Sequence, residues 1–91
     1  MPIRIEIPPP MRELTDGKVE VTAAGSTVGE AIADLVKSYP ALKSKLFDDK
    51  GQVRQHINLF VNDEDIRYLD EMDTKVTDGT LLALIPAVAG G

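Results

Sequence analysis

Few side chains in this sequence have the types and spacing that support catalysis. Cysteine is absent, which excludes a thiolate nucleophile, a disulfide framework and thiolate metal ligands. The single histidine, His56, has no second histidine or cysteine with which to form a metal site or a triad, and we interpret it as a surface or structural residue. The run Asn62-Asp63-Glu64-Asp65 lacks the glycine and the distal glutamate of a calcium loop and is interpreted as a solvated hairpin turn. The sequence therefore predicts no catalytic side chain and no metal site.

The remaining group that could do chemistry is the backbone carboxylate of the last residue. The final segment, Pro86-Ala87-Val88-Ala89-Gly90-Gly91, has no charge and no long side chain. Six extended residues reach up to about 20 Å. Glycine has no Cβ, so such an arm could enter a channel too narrow for other residues. We therefore predict that the Gly91 carboxylate can enter the catalytic site of another protein, the alternative being a frayed and inert tail.

Composition limits the kind of protein that could present this carboxylate. The 91 residues, of which 43% are hydrophobic and 27% charged, suit one globular domain. A net charge of −5 disfavours nucleic acid as a partner, because phosphate binding needs clustered Lys and Arg. No apolar run approaches the roughly 20 residues that cross a bilayer. A cytoplasmic protein that binds neither membrane nor nucleic acid is the expectation.

The first half of the sequence predicts a β-hairpin followed by a helix. Apolar and polar residues alternate over 3–7 and again over 18–22, and three prolines follow the first run. Thr27 and Glu30 form a capping-box pair, and the apolar residues that follow recur at helical spacing as far as Tyr39. The helix should end near Ser38, because Pro40 disfavours helical geometry at the residue before it. Three further apolar side chains are expected to pin the next segment to the core: Leu42, Leu46 and Phe47.

The second half predicts the remaining strands. Residues 57–61 and 80–85 read as strands, with the 62–65 turn and a short extended piece at 66–68 between them. The order ββαβ(β)β predicts an α+β domain, with a mixed sheet of four to five strands packed on one main helix. We place the domain at 1–85 and the arm at 86–91.

Three apolar side chains are left over from this arrangement. If alternate residues of the last strand enter the core, Leu81 and Ile85 point outward, and Phe60 does the same on the preceding strand. An exposed apolar cluster indicates a docking surface for a partner, or a face covered by loops or by a second copy.

The element order and the ending resemble the ThiS/MoaD family of sulfur carriers over essentially the whole chain. The resemblance rests on Ile85 and the Pro86-Ala87-Val88-Ala89-Gly90-Gly91 end, and on the 62–65 turn followed by Arg67. Ala87 and Ile85 replace the proline and the aromatic residue usual in the molybdopterin branch, which favours the cysteine-biosynthesis branch. The resemblance implies a ubiquitin-like β-grasp fold.

The resemblance also implies partners and a mechanism. An E1-like adenylyltransferase/sulfurtransferase would use ATP and Mg to adenylate Gly91, and a sulfur donor would convert it to a thiocarboxylate. Gly90 and Gly91 would carry the chemistry, residues 86–89 would guide the arm, and the outward cluster would dock the partner. The acceptor would be a PLP-dependent cysteine synthase, so this chain itself would bind no cofactor. The alternatives are the small subunit of molybdopterin synthase beside its large subunit, a ubiquitin-like protein modifier, and a plain binding module.

Overall fold

A computed structural model of the chain describes residues 2–86 and shows a five-stranded sheet. The strands are β1 (Ile3–Glu6), β2 (Glu20–Ala23), β3 (Ile57–Val61), β4 (Glu64–Asp65) and β5 (Leu81–Pro86). Their spatial order is β2-β1-β5-β3-β4, in which β1 and β5 run parallel and the other neighbours run antiparallel. The sheet is therefore mixed, as predicted, and the strand that leads to the arm lies at its centre.

The main helix, α1 (Val28–Ser38), begins and ends where the sequence predicts. Thr27 Oγ1 accepts a hydrogen bond from the backbone N–H of Glu30 at 3.1 Å. The Glu30 carboxylate bonds back to the N–H of Ser26 at 2.9 Å rather than to Thr27, so the capping box is displaced by one residue. These bonds fix the entry of the helix, and the hydrogen bonds from the Ser26 N–H and then the Ser26 hydroxyl lower the pKa of Glu30.

One face of the sheet packs on α1 and forms the core. The three isoleucines of the first segment, at positions 3, 5 and 7, are almost fully buried, as are four apolar residues of α1, namely Val28, Ala31, Ile32 and Leu35. Leu42 precedes a second, four-residue helix, α2 (Lys43–Leu46), and Leu42 and Leu46 are both at most 1% exposed. This confirms that the segment after α1 is pinned to the core. The buried apolar residues of the core cluster are Ile3, Ile5, Ile7, Met11, Val21, Ala23, Val28, Ala31, Ile32, Leu35, Leu42, Leu46, Ile57, Leu59, Ile66, Val76, Leu82 and Leu84.

The structure corrects the prediction of an extended piece at 66–68. That segment is a 3-10 turn, Ile66–Tyr68, and the paired strand is the preceding Glu64–Asp65. The physical reason is the Asp65 carboxylate, which accepts the backbone N–H of Arg67 at 2.8 Å and so starts a turn in place of a strand. Extended geometry is thus lost directly after the two paired residues of β4.

Smaller differences concern element boundaries. The residues after the first strand form a 3-10 helix, Pro9–Thr15, and β2 begins at Glu20 rather than at residue 18. Pro86, which the sequence assigns to the arm, is the last residue of β5. Within residues 2–86, no helix has the length and apolar character needed to cross a membrane.

Candidate functional site

Strand β5 has two apolar faces. Leu82 and Leu84 are 0% and 2% exposed and lie in the core, whereas Ile85 is 43% exposed. Because successive side chains of a strand point to opposite faces, Leu81, Ala83 and Ile85 share the face away from α1. We call this surface the outer face of the sheet.

The structure places the three predicted docking residues together on the outer face. Phe60 of β3 lies directly across from Ala83 of β5, so Leu81 and Ile85 are its diagonal neighbours. Diagonal neighbours on one face lie about 7–8 Å apart, within reach of an aromatic ring, and the small Ala83 leaves room between them. Phe60, Leu81 and Ile85 therefore form one patch, the outer patch. Their role as a docking surface stays a prediction.

The start of β5 is fixed to the hairpin turn between β3 and β4. Asn62 and Asp63 have φ of 48° and 73°, the left-handed pair typical of a two-residue hairpin turn. The Asn62 N–H donates to the Leu81 carbonyl at 2.9 Å, and the Leu81 N–H donates to Asn62 Oδ1 at 3.0 Å. Asn62 thus locks the turn to the strand beside the outer patch, a role that the sequence reading missed.

The last carboxylate of this turn is not solvated as predicted. Asp65 is 8% exposed, and its carboxylate holds the Arg67 guanidinium through Nε at 3.2 Å and Nη2 at 2.7 Å. The Arg67 side-chain hydrogen bonds, followed by its backbone N–H, lower the pKa of Asp65, and the same pair raises the pKa of Arg67. The sequence signal was available, since an aspartate two residues before an arginine can accept both its backbone and side-chain N–H groups.

The opposite border of the outer face is acidic. The strand register aligns Glu20, Glu6, Ala83, Phe60 and Asp65 in one row across all five strands. Arg4, on the neighbouring row, is the cross-strand neighbour of Leu81; it lies 3.9 Å from the Glu20 carboxylate and is 48% exposed, so it forms a weak, solvated ion pair on the same border. The outer patch therefore lies between Glu6, Glu20 and Arg4 on one side, with one net negative charge, and the Asp65–Arg67 pair on the other.

The predicted arm starts at this sheet. Pro86 pairs with Ile57, at the end of β5 that lies beside the start of β3. The other predicted arm residues, Ala87, Val88, Ala89, Gly90 and Gly91, lie outside the described residues. His56 is exposed, in agreement with its predicted surface position. Within the described part of the chain, no three His, Asp or Glu side chains are grouped so that they could hold a metal ion.

The chain is similar to several named proteins over most or all of its length. The ThiS family model matches residues 5–91. The sulfur carrier protein CysO of Mycobacterium tuberculosis is 37% identical over 93 residues, covering 100% of both chains. Small archaeal modifier protein 1 of Haloferax volcanii is 39% identical over 66 residues, covering 72% of this chain and 71% of the relative.

A solved structure gives the same result for the fold. The crystal structure of the Amycolatopsis orientalis BexX/CysO complex contains a chain with a TM-score of 0.88 and 37% identity, covering 98% of this chain and 99% of that one. These relatives are named as small carriers and modifiers, and the BexX/CysO structure shows such a carrier bound to a partner protein. The full-length family match and the shared ubiquitin-like β-grasp architecture show that this chain belongs to the ThiS family, with sulfur carrier proteins of the CysO type among its relatives.

Proposed function

We propose that this protein carries sulfur as a thiocarboxylate on Gly91 and donates it for cysteine biosynthesis. The observation that carries the proposal is the similarity to CysO along the whole chain, which extends across the region of the Gly-Gly end. The structure supports it with a β-grasp body in which the strand leading to that end also carries the outer patch.

The chemistry follows from the poor reactivity of a carboxylate. An E1-like adenylyltransferase transfers AMP from ATP to the Gly91 carboxylate and releases pyrophosphate, with Mg on the phosphates. A sulfur nucleophile at the oxidation level of sulfide then attacks the carbonyl carbon. The carbon–oxygen bond to AMP breaks, AMP leaves with the electron pair, and a thiocarboxylate remains. Because AMP is a far better leaving group than an oxide, the activated arm reacts where the free acid does not.

The folded body serves as a handle for this reaction. In the proposal, the outer patch of Phe60, Leu81 and Ile85 docks on the activating enzyme. Burying apolar surface on both partners supplies binding energy of about 25 cal/mol per Å² before the costs of association. That energy holds the arm, with Pro86 and residues 87–89 as its guide, in line for attack at Gly91. The chemistry itself lies on Gly90 and Gly91.

The proposed acceptor is a PLP-dependent cysteine synthase. There the thiocarboxylate sulfur would add to an aminoacrylate formed from O-phosphoserine by loss of phosphate. The resulting thioester would rearrange to an amide by an S-to-N acyl shift, and a peptidase would hydrolyse that amide to release cysteine and restore the Gly91 carboxylate. PLP supplies the electron sink that stabilises the aminoacrylate and belongs to the acceptor enzyme. A thiocarboxylate delivered in this way releases no free sulfide.

The test is a mass measurement. The purified chain is incubated with the E1-like enzyme of the same genome, ATP, Mg and sulfide, and its intact mass is recorded. We expect a gain equal to the exchange of one oxygen for one sulfur. The control, a variant that lacks Gly91, should show no gain and should melt at the same temperature as the wild type. An unchanged wild-type mass with an active enzyme would refute the proposal.

The similarity to an archaeal modifier protein favours a second candidate function. A modifier uses the same activated Gly91 carboxylate, but the nucleophile is a lysine amine and the product is an isopeptide bond. Host extracts separate the two functions, because a modifier gives conjugates of higher mass that disappear when Gly91 is deleted. A sulfur carrier instead gives a thiocarboxylate on Gly91, which disappears only when the cysteine synthase is present.

A further inference from the structure

The border of the outer face at β4 is organised around one buried carboxylate. The Asp65 side chain is 9% exposed, and all of its hydrogen bonds go to Arg67, to the backbone N–H and to the guanidinium. A buried carboxylate is costly unless it is paired and hydrogen-bonded. The buried Asp65 carboxylate therefore needs Arg67 as its partner. That pairing does not by itself explain why the Arg67 side chain is exposed.

Arg67 is nevertheless held in position and open to solvent at the same time. Its side chain is 65% exposed although Nε and Nη2 are both bound to Asp65. Among the described residues, Nη1 has no hydrogen-bond partner. An exposed arginine normally loses side-chain entropy when it binds a partner, whereas this one is already ordered. Arg67 is thus an ordered, exposed cation with Nη1 open to a further hydrogen bond.

The position of Arg67 relative to the outer patch indicates what that contact is. Its anchor, Asp65, is the direct cross-strand neighbour of Phe60, and the far end of the same row is Glu6 and Glu20. The β1–β2 end of the patch thus carries one net negative charge from Glu6, Glu20 and Arg4, whereas the β4 end presents the positive group that Asp65 holds in place. Tyr68, the next residue, is 82% exposed, and tyrosine and arginine are the residue types enriched at binding hot spots.

We propose that Arg67 orients the docked partner by binding a carboxylate on the partner's surface at the β4 end of the outer patch. The inference rests on the proposed function, since it assumes that a protein docks on this face. In a chain with a net charge of −5, a partner is expected to be basic overall, so an acidic side chain opposite Arg67 distinguishes the correct orientation from the reversed one. A planar guanidinium binds a carboxylate through two N–H groups, which fixes direction as well as position.

A concave surface beside Arg67 gives the partner's side chain a place to lie. A cleft of about 440 Å³ runs between residues 53–59 and 65–72 and is lined by Arg67, Arg54, Glu71 and Met72, among others. Arg54 is also anchored, through its Nε to the Ser44 carbonyl at 2.9 Å. Because Glu71 supplies a negative charge in the same cleft, we assign the carboxylate contact to the exposed Arg67 and not to the cleft as a whole.

The experiment measures binding and adenylation separately, with the E1-like enzyme of the same genome as the probe. The dissociation constant is measured by calorimetry, and KM and kcat for the carrier are measured by pyrophosphate release. Arg67→Gln should weaken binding and raise KM by about tenfold while kcat changes little, because a charge-assisted hydrogen bond is lost from docking and not from the chemistry. Arg67→Lys should recover part of the affinity, and Arg67→Glu should weaken it further.

Two controls separate this role from a loss of folding. Lys37→Gln removes the same charge from α1, on the opposite side of the sheet, and should leave KM within about twofold, as expected for a distant screened charge. The double variant Asp65→Asn/Arg67→Gln leaves no unpaired buried carboxylate, so it should fold well and still show the raised KM. Replacing the partner's acidic residue by lysine should restore binding to Arg67→Glu.

The outcomes distinguish this inference from the proposed function. An Arg67→Gln chain that binds as tightly as Lys37→Gln would overturn the role of Arg67 alone. A wild-type chain that binds but is not adenylated would overturn the proposed function, while the binding constants would still decide the role of Arg67. A wild-type chain that does not bind the enzyme would overturn both.

Discussion

Truncation of Leu82 and of Ile85, both in β5, should lower the stability of the fold by different amounts and should affect docking in the reverse order. Leu82 is 0% exposed and lies in the core, so Leu82→Ala should lower the free energy of unfolding by about 2–5 kcal/mol. Ile85 is 43% exposed on the outer face, so only a little over half of its side chain leaves water on folding. Scaling the roughly 1.5–3 kcal/mol of full burial by that fraction gives about 1–1.5 kcal/mol for Ile85→Ala.

These free energies correspond to melting temperatures that can be told apart. One kcal/mol shifts the melting temperature of a domain of this size by about 4–8 °C. Ile85→Ala should therefore melt about 4–12 °C below the wild type, and Leu82→Ala well below that, provided that it still folds. Urea unfolding followed by circular dichroism measures both values, and Leu84→Ala provides a second core variant should Leu82→Ala be too unstable to purify.

Docking should show the reverse order. At a temperature where each variant is folded, Ile85→Ala should raise KM for adenylation, because the outer patch loses contact area. Leu82→Ala should leave KM near the wild-type value, because its side chain reaches no partner. A loss of stability for Ile85→Ala as large as that for Leu82→Ala would show that Ile85 packs in the core, and equal KM values for both would remove the outer patch from docking.

Three further predictions concern the body of the fold. Thr27→Ala removes the hydrogen bond that caps α1 and should cost about 1 kcal/mol in urea unfolding, without a change in KM. Gly25→Ala would bring a Cβ to 2.8 Å from the Ala31 backbone nitrogen, so we expect about 1–3 kcal/mol of overpacking strain, again measured by urea unfolding. Because the folded-state pKa of Asp65 is lowered, its stabilising contribution is present above its unfolded pKa and is lost as the pH falls below about 4. The stability difference between wild type and Asp65→Asn should therefore shrink between pH 7 and pH 3, and a difference that stays constant would contradict this.

The sequence predicted an element and its orientation correctly where the local pattern and the tertiary packing favour the same conformation. Helix α1 was predicted to the residue at its end, because Thr27, the apolar spacing and Pro40 all specify the same boundaries. The outward placement of Phe60 and Ile85 also followed from strand alternation alone. In both cases, the pattern within one element determined the result.

The predictions that the structure corrects lie where a side chain forms a hydrogen bond to the backbone that the sequence periodicity does not indicate. The stretch 66–68 has strand-like composition, but the Asp65 carboxylate binds the Arg67 N–H and turns the chain. Asn62 likewise binds Leu81, 19 residues away along the chain, through both its backbone and its side chain. Neither contact has a periodicity. The Asp65–Arg67 contact is local, and its signal was present in the sequence but was not used, whereas the Asn62–Leu81 contact depends on which strands the fold brings together. The outer patch was therefore predicted, but the fixed cation on its border was not.

In the proposed function, the pairing of β5 allows a partner to draw on the arm without unfolding the body. Leu82 and Ala83 pair with β1 on one side and β3 on the other, whereas Leu84, Ile85 and Pro86 pair with β3 alone. Pro86 has no N–H to donate, so the last step of the ladder is its weakest. A partner that draws on the arm therefore meets a singly paired end first and a doubly paired segment with Leu82 in the core only later. In the proposed function, the sheet can release Pro86 while the outer patch, which includes Ile85 and is anchored at Leu81 by Asn62, stays on the partner.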